Sequence, residues 1–248
     1  MLLLIAISAD SETSAVAEFD SYVDLSNDEI RALNLQDSEE MLKILAEKEA
    51  MLNRRVSYPS SYSVSVNWEQ QKNSYYCGPA TATIILDCTS TPTTQEEIAG
   101  SKYLRTTTSG TPWFSGGAGM ETADTKYYNM MYGLNQWQYN QKGSREWTYA
   151  VYPYNGETVT ASGYFDRIKG TTYMDYPVAI FVVSNSTNKF NSNYPNSSIR
   201  HWVVCNGWSG NNIRICDPAL GISGFTSVSK TYSVSYTKLT STSWGIVY

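Results

Sequence analysis

One histidine in 248 residues is the sharpest shortage in this chain. With His201 alone, and four cysteines that include no Cys-x2-Cys pair, the sequence offers no ligand cluster of the usual spacing, so neither a metal site nor a cofactor is expected. Charge is scarce too, at 17% Asp, Glu, Lys and Arg, and no Lys/Arg block interleaves with aromatic residues, which argues against a nucleic-acid partner. Long apolar runs are missing: MLLLIAISA at the start is too short to span a bilayer, so no integral membrane segment is expected. Internal repeats are absent. The cluster Ser115-Gly116-Gly117-Ala118-Gly119 lacks the Gly-Lys-Ser/Thr ending of a phosphate loop and follows no clear strand, so a nucleotide site is not expected.

What is present suits a globular body. Hydrophobic residues make up 42% of the chain, enough to bury a core, while Ser, Thr, Asn and 20 Tyr supply polar surface in place of Lys and Glu. The net charge of −5 is uneven: residues 1–55 carry 12 acidic and 5 basic side chains, and the remainder 11 acidic and 13 basic, which suggests an acidic front piece and a mildly basic body. Within the front piece, residues 1–17 pair an apolar segment with small residues and an Ala15-Val16-Ala17 cleavage pattern; they resemble a signal peptide and so imply an extracellular or cell-surface location. A basic start is lacking, which leaves a buried strand as the alternative. Residues 18–56 carry two capping-box patterns, Ser26-x-x-Glu29 and Asp37-x-x-Glu40, the second leading into Met41, Leu42, Ile44, Leu45, Met51 and Leu52 at helical spacing. This acidic amphipathic helix is either a propeptide that docks on the body or a helix packed on it. The body is assigned to 57–248.

Chemistry concentrates at two places in the body. In QKNSYYCGPAT, Cys77 precedes Gly78-Pro79 and then an apolar run of helical length, with Pro79 where a first turn tolerates it. Cys77 is therefore expected at a helix N-terminus, where unpaired N–H groups and the positive end of the helix dipole favour an anionic sulfur. Gly78 is expected to leave room for a substrate carbonyl. In RHWVVCNGWSGNNIRICDPALG, two strand-like stretches flank turn residues at Ser209–Asn212, and a turn centred near Ser209 sets His201 directly opposite Asp217 across a hairpin. A carboxylate there fixes the imidazole tautomer and leaves the other nitrogen for a thiol.

These residues resemble the C39-like branch of the papain-fold cysteine peptidases: Gln71-x5-Cys77-Gly78-Pro79, then a His-Trp-Val-Val strand, a glycine turn and Asp217-Pro218. The resemblance runs from about residue 65 to 248, with its motifs at the two ends. It implies an α+β, papain-like fold in which a nucleophile helix packs on an antiparallel sheet or half-barrel. It also implies roles: Cys77 as nucleophile, His201 as general base and acid, Asp217 as orienter of the imidazole, and Gln71 as the side chain that holds the oxyanion, with Gln70 the neighbouring alternative. The function expected is a secreted cysteine peptidase acting on a protein or peptide substrate through a thioester acyl-enzyme. An acyltransferase or amidase using the same residues, and a catalytically silent peptide-binding module, stand as alternatives.

Between the two ends the pattern is less explicit. Thr93-Thr94-Gln95-Glu96 opens a short helix, 116–132 reads as a loop entering a helix that Gly133 ends, and Trp137–Tyr154 reads as edge and barrel strands. Ser162–Lys169 reads as an amphipathic helix stopped by Gly170, Val178–Val183 as a strand, and Asn185–Ser198 as a long loop that can cover the site. Among the cysteines, Cys88 is placed three helical turns below Cys77 in the core, and Cys205 and Cys216 on opposite faces of the hairpin, so no bridge between those two is expected, while an oxidising compartment would permit one from Cys88 to either.

Overall fold

The computed structural model describes residues 42–44, 46–51, 57–111, 113, 129–154 and 158–248. The chain divides into two compact units, Met1–Leu42 and Lys43–Tyr248, and apart from Leu42 the described residues belong to the second. The signal-like segment, both capping boxes and the glycine cluster at 115–119 lie outside the described residues.

The second unit is α+β, built on an antiparallel sheet with the order β2-β7-β3-β4-β5-β6. Its strands are β1 (Ser61–Ser63), β2 (Val151–Tyr152), β3 (Val178–Ser184), β4 (Ile199–Ser209), β5 (Asn212–Cys216), β6 (Thr231–Ser235) and β7 (Ser243–Val247). Strand β4 is the hub. Along one edge it pairs first with β3, from Ile199 to Cys205, and then with β1, from Gly207 to Ser209; its other edge takes β5. The β-branched run VAIFVVS of β3 is buried along nearly its whole length, because β4 and β7 flank it and helices cover it.

Helix α1 (Cys77–Asp87) packs on β4, and all of its residues except the last, Asp87, are buried. Its apolar run supplies that burial, at about 1.5–3 kcal/mol for each large aliphatic side chain. Helix α2 (Gln95–Ala99) opens on the reciprocal Thr94–Glu97 capping box that the sequence signals. Helix α3 (Met130–Lys142) departs from the sequence reading. It runs through Gly133, where a Cβ would stand 2.4 Å from Leu104, and ends at Gly143 in the left-handed conformation. Gly133 thus serves a close packing contact, and the expected strands over Trp137–Tyr154 reduce to β2, since Trp137 to Lys142 are helical. Helix α4 (Ala161–Tyr173), capped by Thr160, likewise continues through Gly170. In both helices the N-cap side chain and the packed face outweigh a single glycine costing ~1 kcal/mol. A last short helix, α5 (Leu239–Thr242), leads into β7.

Residues 46–51 are helical. Lys48 is buried, with its Nζ 3.7 Å from the centre of the Trp147 ring and 5.2 Å from that of Tyr248, and burial pushes its ammonium down to about 7. Glu49 pairs with Arg167 of α4. No described helix is long and apolar enough to cross a membrane, and among the described residues no cluster of His, Cys, Asp and Glu is arranged to hold a metal ion.

Candidate active site

Cys77 is the first residue of α1, and no side chain caps that end of the helix, nor does an acidic residue stand in its first turn. The backbone N–H groups of the first turn are therefore left to whatever occupies the site. The Cys77 sulfur lies near enough to His201 of β4 to favour the charged imidazole. On the far side of the ring, His201 Nε2 meets Asp217 Oδ1 at 2.8 Å, so Nδ1 is the nitrogen that serves the sulfur. Cys77 is 7% exposed, His201 3% and Asp217 0%, which makes this a largely dry site in which charge interactions are weakly screened.

The sequence places His201 and Asp217 as a directly opposed pair, and the register corrects that. The hairpin turns at Gly210–Asn211 rather than at Ser209, and a bulge between Cys205 and Gly207 shifts the pairing to Val204↔Cys216. Continued by one residue, Asp217 stands opposite Val203. His201 is therefore its diagonal neighbour on the same face, within reach of long side chains. Contact is completed because Asp217 leaves the strand: its N–H donates to Lys230 O at 2.9 Å, and its carbonyl accepts from Trp68 Nε1 at 2.7 Å.

The Asp217 carboxylate is saturated. Oδ1 accepts from His201 and from the Ala219 N–H at 2.9 Å, while Oδ2 accepts from the Tyr194 hydroxyl at 2.6 Å and the Tyr232 hydroxyl at 2.8 Å. Burial opposes its ionisation, but the charge and hydrogen bond of His201, with those from Tyr194 and Ala219, hold its carboxyl below the ordinary carboxylate range. Burial likewise opposes a charged His201, yet the Asp217 carboxylate, its hydrogen bond and the Cys77 sulfur outweigh it and push the imidazolium up to about 10. The pair is an ion pair across the neutral range.

Of the two candidate glutamines, Gln71 is buried and Gln70 exposed. Gln71 is tied to the Asp217 loop by its N–H, which donates to Pro218 O at 2.9 Å, while its Nε2 donates to Asn73 O at 2.7 Å and keeps a second N–H. Its Oε1 is buried without a hydrogen-bond partner. Gln70 instead lies against Gly221, a left-handed position at φ +87° where a Cβ would meet its Nε2 at 2.8 Å.

Gly78 has a different role from the one expected. A Cβ there would stand 1.9 Å from Thr111 Oγ1, and the Thr111 carbonyl in turn accepts from Trp202 Nε1 at 3.2 Å. The missing side chain admits a protein contact that seats the start of α1, rather than a substrate. Gly78→Ala should therefore cost about 1–3 kcal/mol by overpacking, read as a lower urea midpoint, and should displace Cys77 from His201.

All four cysteines are free. Cys205 and Cys216 do lie on opposite faces, since Val204 and not Cys205 opposes Cys216. Cys88 is half-buried at the end of α1 with its sulfur toward the Ser65 and Ile84 carbonyls, not in the core. The sequence reading missed Tyr194, Tyr232, Trp68 and Phe225, whose ring lies 5.3 Å from that of His201. Nothing local marks the two tyrosines among 20. The loop before β4, read from the sequence as able to cover the site, carries one of them, Tyr194, to Asp217.

The profile of the Peptidase_C39 like family matches residues 63–244. A solved structure from Bacillus anthracis, described as that of a C39-like peptidase, is similar at 14% identity and a TM-score of 0.43, over 75% of this chain and 97% of that one. No curated protein matches the chain.

Proposed function

The chain belongs to the Peptidase_C39 like family, and we propose that it is a cysteine peptidase that opens peptide bonds through a thioester acyl-enzyme. The observation that carries this reading is the buried His201–Asp217 hydrogen bond set beside Cys77, the first residue of α1. The sulfur of Cys77 attacks the scissile carbonyl carbon as a thiolate, its proton already resting on His201 Nδ1. The oxyanion forms beside the Cys77 N–H and the second Nε2 hydrogen of Gln71. His201 then gives its Nδ1 proton to the leaving amine as the C–N bond breaks, takes a proton from water as hydroxide attacks the thioester, and the thiolate returns. Asp217 keeps Nδ1 turned toward the sulfur throughout. A nucleophile helix laid on an antiparallel sheet gives the fold a papain-like character, and the apolar start with its Ala-x-Ala pattern supports an extracellular setting.

Thiol labelling tests the reading. Burial pushes the Cys88 thiol up to about 11 and those of Cys205 and Cys216 up to about 12, so these three stay protonated at neutral pH. A peptidyl electrophile should therefore leave one adduct, at Cys77, found by mass spectrometry of the digested protein, and His201→Ala should abolish it. Equal labelling of several cysteines, or none at Cys77, sinks the peptidase reading and leaves a peptide-binding module. A Cys77 adduct whose thioester analogue turns over to an added amine but not to water points to acyl transfer.

A further inference from the structure

We propose that Tyr194 and Tyr232 are positioning residues of this site, a pair of phenol donors that hold Asp217 ionised and in the one rotation that presents Oδ1 to His201. The inference rests on the peptidase reading of Cys77 and His201 and extends it to residues outside the family-like motifs.

The geometry is a triangle. Both hydroxyls lie within hydrogen-bond distance of Asp217 Oδ2, at 2.6 and 2.8 Å, and 2.9 Å from one another. Two phenols bring two protons to three contacts, so at least one proton always rests on the carboxylate. Such O–H···O⁻ bonds are about twice as strong as neutral ones. Burial first, and then the Asp217 charge, push both phenols well above their ordinary range, so they remain donors at any working pH. Oδ1 already serves His201 and the Ala219 N–H. Without the two phenols Oδ2 loses both of its hydrogen bonds, and the carboxyl is free to turn away from Nε2.

The two donors come from separate parts of the chain: Tyr194 from the loop between β3 and β4, and Tyr232 from the edge strand β6. Packing reinforces the arrangement. The Tyr194 ring lies edge-on to His201 at 5.9 Å and to Phe225 at 5.3 Å, so the loop that brings the hydroxyl also walls the imidazole from water.

Tyr194→Phe and Tyr232→Phe remove only the hydroxyls and keep the rings. The full chain and each variant are compared in two assays: the pH dependence of Cys77 alkylation by iodoacetamide, and kcat and KM on a peptide substrate. A hydrogen bond donated to a carboxylate favours its ionised form, so losing one moves the acid limb of both profiles toward neutral pH. The expected result is that shift, with a roughly tenfold fall in kcat and an unchanged KM for each variant, and a larger shift in the double variant. His201 is the sole histidine, so its imidazole N–H resonance is unambiguous and should move in each variant while the melting curve stays cooperative. Should Tyr194→Phe fail to fold, the half-buried Tyr232 carries the same test alone. Wild-type profiles and kcat in the Phe variants, alongside altered alkylation in His201→Ala, overturn the positioning role and leave the Cys77–His201 site standing. Alkylation that is indifferent to His201→Ala overturns the peptidase reading and this inference together.

Discussion

Cys77→Ala and His201→Ala should each lower kcat/KM by about four to six orders of magnitude, and the double variant should be little worse than either alone. The non-additivity is the informative part. If the sulfur attacks only while His201 manages its proton, removing either group leaves the other nothing to do, so the second deletion finds no catalysis to remove. Independent contributions would multiply instead. Neither change should unfold the protein: Cys77→Ala deletes one small buried group, and His201→Ala leaves Asp217 with three remaining donors, Ala219 N–H, Tyr194 and Tyr232. Initial rates over a range of substrate concentration, with circular dichroism on each variant, give the measurement. Substantial turnover by Cys77→Ala would remove the mechanism outright.

Much of the site is legible in the sequence because each of its parts carries a local signal. Cys-Gly-Pro before an apolar run gives α1 its start, and the Ser209–Asn212 turn gives the hairpin. The reading goes astray where a local rule meets a tertiary contact. Gly133 and Gly170 look like helix ends, but their helices run on because packing on one face outweighs a glycine. Gly78 looks like room for a substrate, and the space belongs to Thr111, 33 positions away. The bulge after Cys205 is invisible to a count of residues about a turn, so the directly opposed pair becomes a diagonal one. Tyr194 and Tyr232 reach Asp217 across 23 and 15 positions of sequence, and a tyrosine that donates to a buried carboxylate looks in sequence like any other.

Asp217→Ala should be the most destabilising change at the site, by ~3 kcal/mol or more at pH 7, because it strips a buried imidazolium, the buried Tyr194 and the half-buried Tyr232 of one shared acceptor. The pH dependence separates this from an ordinary packing loss. His201 is raised from 6.5 to about 10 in the folded protein, so its contribution is fully present below 6.5 and is lost as pH rises through 10. Asp217 is lowered from 3.8, so its contribution is present above that value and is lost as pH falls through its folded value. Both contributions overlap only between the two, and both vanish with the carboxylate. The stability difference between the parent chain and Asp217→Ala, from urea titrations at pH 3, 7 and 10.5, should therefore be largest at pH 7 and shrink toward either end. Asp217→Asn should fold better than the alanine variant, since its amide oxygen still accepts from His201 Nε2 and its NH2 can donate to the tyrosine oxygens. It should nonetheless move the alkaline limb of kcat/KM below that of the parent chain, because the neutral amide no longer supports the imidazolium. A stability difference that stays constant across the three pH values would mean that the pair is not ionised in the folded protein. His201 would then have to take the Cys77 thiol proton on Nδ1 as the sulfur attacks, before passing it to the leaving amine.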